Sequence, residues 1–227
     1  MRKTYIDTIR AYSVFLVYSF HLLNKLEVRY YIWGAVGVYL FYMISGNGLY
    51  SKYGNEIDYK KFFKNRFFRI YPSFWLCYSL VFLFNFWSNK SFPEIPCQRF
   101  LLTILGMDGY FSYRVPTFYL IGEWFLGSII LLYLLFPLVR LCVNKNLQLT
   151  IAILFGFVCL IFYNNFFGLF QIMSGRNLLV SLFYFVLGIW VEAICQKSTG
   201  NIWIYGLGIF AICYAIFLLK KLPKYQS

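Results

Sequence analysis

The sequence predicts an all-α integral membrane protein, a polytopic bundle of about seven or eight transmembrane helices. Of the 227 residues, 61% are hydrophobic and 13% are charged, and the apolar residues are concentrated in runs of bilayer length. The formal net charge is +13, but the basic residues lie between these runs and form no basic domain. The charge therefore indicates membrane topology, and no nucleic-acid partner is expected.

Seven apolar runs are long enough to cross a membrane, because about 20 helical residues span the hydrocarbon core. An eighth run, residues 100–111, is shorter and contains Gly106, Asp108 and Gly109, so it is either a further span or a re-entrant segment buried by its neighbours. Residues 1–227 are predicted to form a single transmembrane domain. The seven spans are 6–23, 32–50, 70–87, 118–139, 147–163, 178–195 and 202–219.

Basic residues in the loop at 50–69 place this loop and the N-terminus in the cytoplasm by the positive-inside rule. By the same rule, eight spans put more of the Lys and Arg residues inside than seven do, so eight is preferred. The six cysteines include no CxxC pair and have no partner histidines. Neither a disulfide framework nor a metal site is therefore expected.

The first span carries Asp7, Arg10 and His21, the only histidine of the chain. Arg2 and Lys3 precede it, but no small-residue cleavage site follows, so it is interpreted as a retained membrane helix. Ionisable groups in a span are costly and indicate function by default. On a helix the three side chains share one stripe, with about 16 Å between Arg10 and His21 along the axis, close to the length of an extended phosphopantetheine arm. One helix can thus hold the charged end of a long substrate and a general base.

The basic loop ends in a pair of arginines. Arg66 and Arg69 are three residues apart, so on a helix both guanidinium groups face one way and can bind a phosphate. Pro72 suits the first turn of the next membrane helix, where its missing N–H costs nothing. The simpler interpretation is that the loop only obeys the positive-inside rule and binds anionic lipid.

Two other patterns are polar residues at helix ends. Ser45 and Asn47 lie among glycines at the end of the second span. The simpler interpretation is that this motif serves helix packing. The functional interpretation is that both side chains offer hydrogen bonds in an apolar setting. Glu123 precedes Trp124, and a carboxylate at an interface is usually solvated. Neither pattern identifies a reaction alone.

These motifs together resemble the membrane-bound acyltransferase 3 family in their order and approximate spacing. The resemblance covers roughly residues 5–139, with a weaker likeness at 183–190. Four motifs in this order are a specific signal of the family, although no single motif is. They are Ile6-Asp7-Thr8-Ile9-Arg10 with His21, the stretch 40–46 ending in Ser45-Gly46, Arg66-x-x-Arg69-Ile70-Tyr71-Pro72, and Trp124-Phe125-Leu126 with Tyr133 and Pro137.

The resemblance implies a membrane O-acyltransferase that moves an acyl group, usually acetyl from acetyl-CoA, to a hydroxyl of a sugar or glycan. His21 falls on the family's essential histidine, Arg10 on the arginine of its first helix, and Arg66 and Arg69 on the paired arginines assigned to the acyl donor. Asp7 matches an acidic position often found before that first arginine. A bacterial cytoplasmic membrane, lipid contact and glycan assembly proteins as partners are further expectations, with Ser45, Glu123, Trp124 and Tyr133 supporting the site.

The chain departs from the family pattern at two positions. Tyr39 stands where many members have an aspartate, and Ile129 follows Trp124-Phe125-Leu126 where one large branch has Trp-Ser-Leu-x-x-Glu. The chain thus groups with Trp-Phe-Leu type members, and acceptor assignments of the glutamate branch do not transfer. Members typically carry more spanning helices, so this chain is expected to lack the last ones.

The mechanism expected from this resemblance uses His21 as a general base toward the acceptor hydroxyl. Asp7 pairs with Arg10 to limit the cost of two charges in the membrane. Asp7 lies about 21 Å from His21 along the helix, so Glu123 or a backbone carbonyl would orient the imidazole. Direct transfer and an acyl-histidine intermediate are both compatible with one histidine.

Two other classes of function stay open. A small-anion transporter would also place Arg, Asp and His inside helices, but it predicts inverted repeats, which the sequence does not show. An inactive truncated member, or a scaffold in a glycan synthesis complex, would keep the front motifs and lack the last helices.

Overall fold

The computed structural model describes residues 4–26, 31–88, 95–164 and 176–197, and these residues form helices and loops with no strand among them. The all-α class is therefore confirmed for this part of the chain. The predicted span 202–219 lies outside it. The helices are α1 (Thr4–Lys25), α2 (Tyr31–Tyr53), α3 (Tyr59–Trp87), a 3-10 turn (Cys97–Arg99), α4 (Phe100–Ile104), α5 (Asp108–Phe111), α6 (Trp124–Asn164) and α7 (Leu178–Lys197).

The first two helices pack against each other as an antiparallel pair. Two glycines of α2 allow close approach: a Cβ at Gly37 would lie 2.8 Å from the Ser13 carbonyl oxygen, and one at Gly34 would lie 2.6 Å from the Phe20 ring. Small residues let membrane helices come this close. The pattern of the first two predicted spans is thus reproduced.

α3 begins at Tyr59, well before the predicted start at residue 70. The Asp58 carboxylate accepts from the Lys61 backbone N–H at 3.0 Å and caps the helix, and Phe62 in its first turn is fully buried. The 29 residues extend roughly 44 Å, against about 30 Å for the hydrocarbon core. Pro72 therefore lies in the helix interior, and the prediction that it opens a helix is wrong.

Residues 97–111 do not form an eighth span, so that preference is wrong. Their helical pieces have three, five and four residues, far too few to cross about 30 Å, and Gly106 ends one piece with a φ of 68°, a conformation that suits glycine. The Tyr71 hydroxyl donates to the Leu105 carbonyl at 3.0 Å, and Tyr71 lies roughly 24 Å along α3 from its end at Trp87. The segment therefore re-enters the bundle, the other interpretation that the sequence left open.

α6 begins at Trp124, six residues after the predicted start at 118, and it includes the rest of that span together with the span 147–163. The two parts are joined by a bend at Asn146, whose φ of −159° and ψ of 97° are not helical. The Asn146 side chain accepts from the Leu149 N–H at 3.0 Å and caps the second segment. At the start of α6 the Phe125 ring lies 5.2 Å from that of Tyr42 in α2. Near the bend, Asn144 accepts from the hydroxyl of Tyr50 at the end of α2. The first segment of α6 therefore runs parallel to α2.

The bundle thus has two distinct ends. We call the end of the bundle that contains loop 54–58 and the bend of α6 the basic end. The other end of the bundle, where α1 reaches His21, is the His21 end. α7 packs against both α2 and α6, and the core between them is largely aromatic. Its fully buried large side chains include Tyr42, Phe62, Phe136, Phe183, Tyr184 and Phe185.

Three of the described helices are long and apolar enough to cross a membrane: Tyr59–Trp87, Trp124–Ile161 and Leu178–Gln196. Large apolar side chains are exposed along α1, α3 and α6, as lipid-facing surfaces require. These features indicate an integral membrane protein. The total of seven spans stays a prediction.

Candidate functional site

The ionisable stripe of the first helix is turned away from α2. Arg10 Nη1 donates to Asp7 Oδ1 at 3.0 Å, with the side chains 51% and 36% exposed, so the predicted pair is confirmed. His21 is exposed as well. Ser13 and Leu16, which contact the position of Gly37 in α2, are buried. Within the described residues, the three groups are therefore accessible to a ligand outside the α1–α2 contact.

At the basic end, Arg66 is half-buried on the core side of α3. Its guanidinium carbon lies 5.6 Å from the centre of the Tyr133 ring, within cation–π range, and its Nε is buried without a hydrogen-bond partner. Asn65 Nδ2 donates to the Tyr53 hydroxyl at 3.3 Å, and Lys52 Nζ lies 5.2 Å above the Tyr53 ring. Donor groups of α2 and α3 thus converge beside an aromatic face of α6, an arrangement suited to an anion.

Arg69 lies in a different environment from Arg66. Its side chain is exposed, whereas the buried face of α3 continues through Phe74 and Tyr78. The two arginines therefore differ in burial, although they are three residues apart on α3. Their joint binding of one phosphate stays a prediction.

Two α6 residues fix the loop that leads into α3. Arg140 Nε donates to the Gly54 carbonyl at 2.8 Å, and the same guanidinium donates to the Asn55 carbonyl. Asn144 Nδ2 donates to Gly54 O at 3.0 Å, while its Oδ1 accepts from the Tyr50 hydroxyl at 3.0 Å. We call Arg140 and Asn144 the clasp. They were missed by sequence reasoning because no local pattern links positions so far apart in the chain.

The polar motif of the second helix lies at the crossing of α2 and α7. A Cβ at Gly46 would lie 2.9 Å from the carbonyl carbon of Phe185, so close helix packing requires this glycine. Ser45 is half-buried beside it, and Asn47 is buried with an unpartnered Oδ1. The packing interpretation of this motif is therefore supported.

Glu123 is buried and not solvated at an interface, so that expectation is wrong. Its side chain is only 6% exposed. Its Oε2 accepts from the Ile121 backbone N–H at 3.1 Å, and its Oε1 has no partner. The next residue, Trp124, carries the guanidinium of Arg176 over its ring at 4.9 Å. The structure shows no contact between Glu123 and His21.

A second buried carboxylate, Asp108, lies next to Glu123 in space and was not singled out as a functional residue from the sequence. It is fully buried, and its carboxylate lies near the Thr103 hydroxyl and the Phe118 N–H. Gly109 comes directly after Asp108 in the sequence, and Trp124 comes directly after Glu123. A Cβ at Gly109 would lie 2.7 Å from Trp124 Cα, so the two carboxylate residues are close in space. We call Asp108 and Glu123 the carboxyl pair.

Both members of the carboxyl pair lie outside the three helices that can span a membrane. Burial raises the pKa of Asp108, and the nearby Thr103 hydroxyl and Phe118 N–H only partly oppose this shift. Burial also raises the pKa of Glu123, against the backbone N–H groups of Glu123 and Ile121, and the Asp108 charge raises it further. Each member of the pair therefore holds its proton more readily than an ordinary carboxyl group does.

His21 and Arg66 lie near opposite ends of the bundle. Phe20, beside His21, meets Gly34 of α2, whereas Asn65, beside Arg66, bonds to Tyr53 at the end of α2. These two points on α2 are roughly 28 Å apart along the helix axis. A single substrate that touches both side chains must therefore be extended. The arrangement can hold an anion at the basic end and accept a proton at the other.

Comparison with known families supplies one match. A family model described as an acyltransferase domain, the acyltransferase 3 model, matches residues 3–225. No curated protein and no solved structure matches the chain significantly. The match extends over both ends of the bundle and so includes the α1 stripe, the Arg66 environment and the carboxyl pair.

Proposed function

The chain belongs to this acyltransferase family, and on that premise we propose that it is a membrane O-acyltransferase that moves acetyl from acetyl-CoA to a hydroxyl of a sugar or cell-surface glycan. The observation that carries the proposal of a CoA donor is the half-buried Arg66 guanidinium, with its unpartnered Nε, against Tyr133. A buried N–H donor without a hydrogen-bond partner is costly. A phosphate of the donor would remove that cost.

The donor enters at the basic end, with its phosphates at Arg66. Lys52 and Asn65 extend the donor groups around Tyr53, and Arg69 acts from the exposed side. A guanidinium held on an aromatic ring is already oriented, so it loses little freedom on binding phosphate. The acyl end of the extended donor points along the bundle toward His21, past Arg10.

The chemical step takes place at His21. Neutral imidazole removes the proton of the acceptor hydroxyl as its oxygen attacks the thioester carbonyl carbon. The carbon–sulfur bond breaks, the acetyl ester forms, and the imidazolium returns its proton to the CoA thiolate. The exposure of His21 supports access for an acceptor. The same groups also permit an acyl-histidine intermediate.

The orientation of the two ends of the bundle determines on which side of the membrane the donor and the acceptor bind. With the basic end in the cytoplasm of a bacterium, as the positive-inside rule favours, His21 lies toward the outer face of the cytoplasmic membrane. A cytoplasmic donor can then serve an acceptor on the outer face. Membrane lipid and glycan assembly proteins are the partners expected in that location.

The proposal is tested with the purified full-length chain, radiolabelled acetyl-CoA and a lipid and glycan extract of the host. We expect label to appear in a glycan or lipid fraction and to be released by mild base, as an oxygen ester is. Folded protein that neither binds nor consumes acetyl-CoA would contradict the proposal.

A further inference from the structure

The outer face of α3 carries a continuous stripe of exposed and half-buried side chains, separate from the Arg66 environment. Positions three or four residues apart share one face of a helix, and every step along this stripe has that size. Arg66 projects from the core side of the same helix, against Tyr133. We call five residues the outer stripe: Lys60, Lys64, Phe67, Tyr71 and Trp75.

The first turns of the outer stripe are cationic. Lys60 and Lys64 are both exposed, and among the described residues neither side chain takes part in an ion pair. The carboxylate nearest to them in the sequence, that of Asp58, accepts from a backbone N–H and caps α3. The stripe therefore presents two positive charges that no neighbouring carboxylate neutralises.

The rest of the outer stripe is aromatic. The ring centres of Phe67 and Tyr71 lie 4.8 Å apart, and those of Tyr71 and Trp75 lie 5.3 Å apart. The Tyr71 hydroxyl donates to the Leu105 carbonyl, and Trp75 Nε1 donates to the Ile104 carbonyl at 3.1 Å. The polar atoms of both rings are thus satisfied by the re-entrant segment, and the surface that stays exposed is apolar.

The length and order of the outer stripe match one leaflet of a bilayer. From Lys60 to Trp75 the helix rises about 22 Å, and half of a bilayer with its headgroups is about 20–22 Å thick. Lys60 lies at the basic end, next to the capped start of α3. From that end inward, a phospholipid presents its phosphate first and its acyl chains second. The stripe presents two lysines first and three aromatic rings second.

From this arrangement we propose that the outer stripe binds an anionic phospholipid of the leaflet at the basic end. The phosphate accepts hydrogen bonds from Lys60 and Lys64, and an acyl chain packs along the three rings. An anionic headgroup is favoured over a zwitterionic one, because the stripe contains no acidic side chain to pair with a choline or ethanolamine group. The lipid and an acyl donor at Arg66 occupy opposite sides of α3.

The same contacts give the lipid a structural role. Tyr71 and Trp75 bond to the two carbonyls that come directly before Gly106, where the re-entrant segment turns. A lipid packed on these rings supports that turn, whether or not the chain transfers an acyl group. Anionic lipid should therefore slow hydrogen exchange in peptides covering residues 100–111.

The test is quenching of tryptophan fluorescence by lipids brominated on their acyl chains, with the purified full-length chain in phosphatidylcholine vesicles. Brominated phosphatidylglycerol is compared with brominated phosphatidylcholine at equal mole fractions. We expect phosphatidylglycerol to bind roughly 5- to 30-fold more tightly, since a lysine near the membrane surface contributes about fivefold. The preference should weaken at high salt. Trp75→Phe should remove the extra quenching, and extra quenching that persists would place the lipid elsewhere and overturn the site.

A pair of double variants decides the role of the lysines. Lys60→Gln with Lys64→Gln should lose the preference for phosphatidylglycerol. Lys25→Gln with Lys145→Gln removes the same charge from exposed positions on α1 and α6 and should keep it. Both should retain the wild-type thermal midpoint in phosphatidylcholine, because all four side chains are exposed.

Three results would contradict the assignment. The first is a preference that persists in the Lys60 and Lys64 variant, and the second is a wild type without any preference. The third is displacement of brominated phosphatidylglycerol by free CoA, because the headgroup would then occupy the donor site beside Arg66. None of these readouts depends on acyltransferase activity.

Discussion

Gly188 packs so closely against Met43 that a Cβ at position 188 would lie 2.6 Å from the Met43 carbonyl carbon. The contact is reciprocal, because Gly46, three residues after Met43, meets the backbone of Phe185, three residues before Gly188. The two glycines thus set the closest approach of α2 and α7. In a membrane, where helices associate through packing more than through the hydrophobic effect, such contacts decide which helices pair.

Gly188→Ala should therefore destabilise the bundle, since the new methyl group has no space and the helices must separate. Overpacking of this kind costs about 1–3 kcal/mol or more, which should lower the thermal midpoint in detergent. Gly156→Ala is the matched control, because a Cβ there meets nothing within 4 Å. Equal midpoints for the two variants would contradict the crossing described here.

Arg66→Ala should weaken CoA binding more than acceptor use. The lost interaction is a hydrogen-bonded charge pair, worth about 1.5–3 kcal/mol, so KM for acetyl-CoA should rise roughly 10- to 100-fold with a smaller effect on KM for acceptor. Arg69→Ala should have a weaker effect, since Arg69 is exposed. An equal rise in both KM values would argue against a donor role for Arg66.

Arg140→Ala should release loop 54–58 from α6 and so loosen the start of α3. Faster hydrogen exchange in peptides covering residues 52–62 should accompany weaker CoA binding, while the midpoint of global unfolding changes little. Lys145→Ala, close to the clasp in sequence, serves as the control. Unchanged exchange in Arg140→Ala would show that the clasp does not hold the loop.

The carboxyl pair should make stability depend on pH. Because the folded-state pKa of Asp108 is raised, the folded chain holds this proton more tightly than the unfolded chain does. The stabilisation is present at low pH and is lost as pH rises through the folded pKa. Asp108→Asn should therefore gain stability over wild type as pH increases from 4 to 8, whereas Glu56→Gln, at an exposed carboxylate in loop 54–58, should not. A difference between Asp108→Asn and wild type that stays constant with pH would contradict the raised pKa.

Periodicity and run length were enough to locate the long helices among the described residues, because a bilayer-length apolar run has few alternatives to a helix. The Asp7–Arg10 pair also followed from spacing alone, since residues three apart on a helix are neighbours. The beginning of α3 could not be predicted from spacing or periodicity. It depends on the Asp58 cap and on Phe62, whose burial against Phe136 is a tertiary contact that no local pattern reveals.

The carboxyl pair and the clasp depend on tertiary contacts in the same way. Asp108 looked like an interruption of an apolar run, and only the contact of Gly109 with Trp124 places it beside Glu123. Tyr39, the departure from the family's aspartate, stacks on Tyr184 with the ring centres 4.1 Å apart. An aromatic pair therefore occupies this position.

The central claim is tested most directly by acetyl transfer from radiolabelled acetyl-CoA, with wild type beside His21→Ala. Because His21 is exposed on α1, the substitution should leave membrane insertion, the thermal midpoint and CoA binding unchanged. We expect labelled glycan or lipid with wild type and none with His21→Ala. Full transfer by a folded His21→Ala protein would remove this histidine from the reaction and contradict the account.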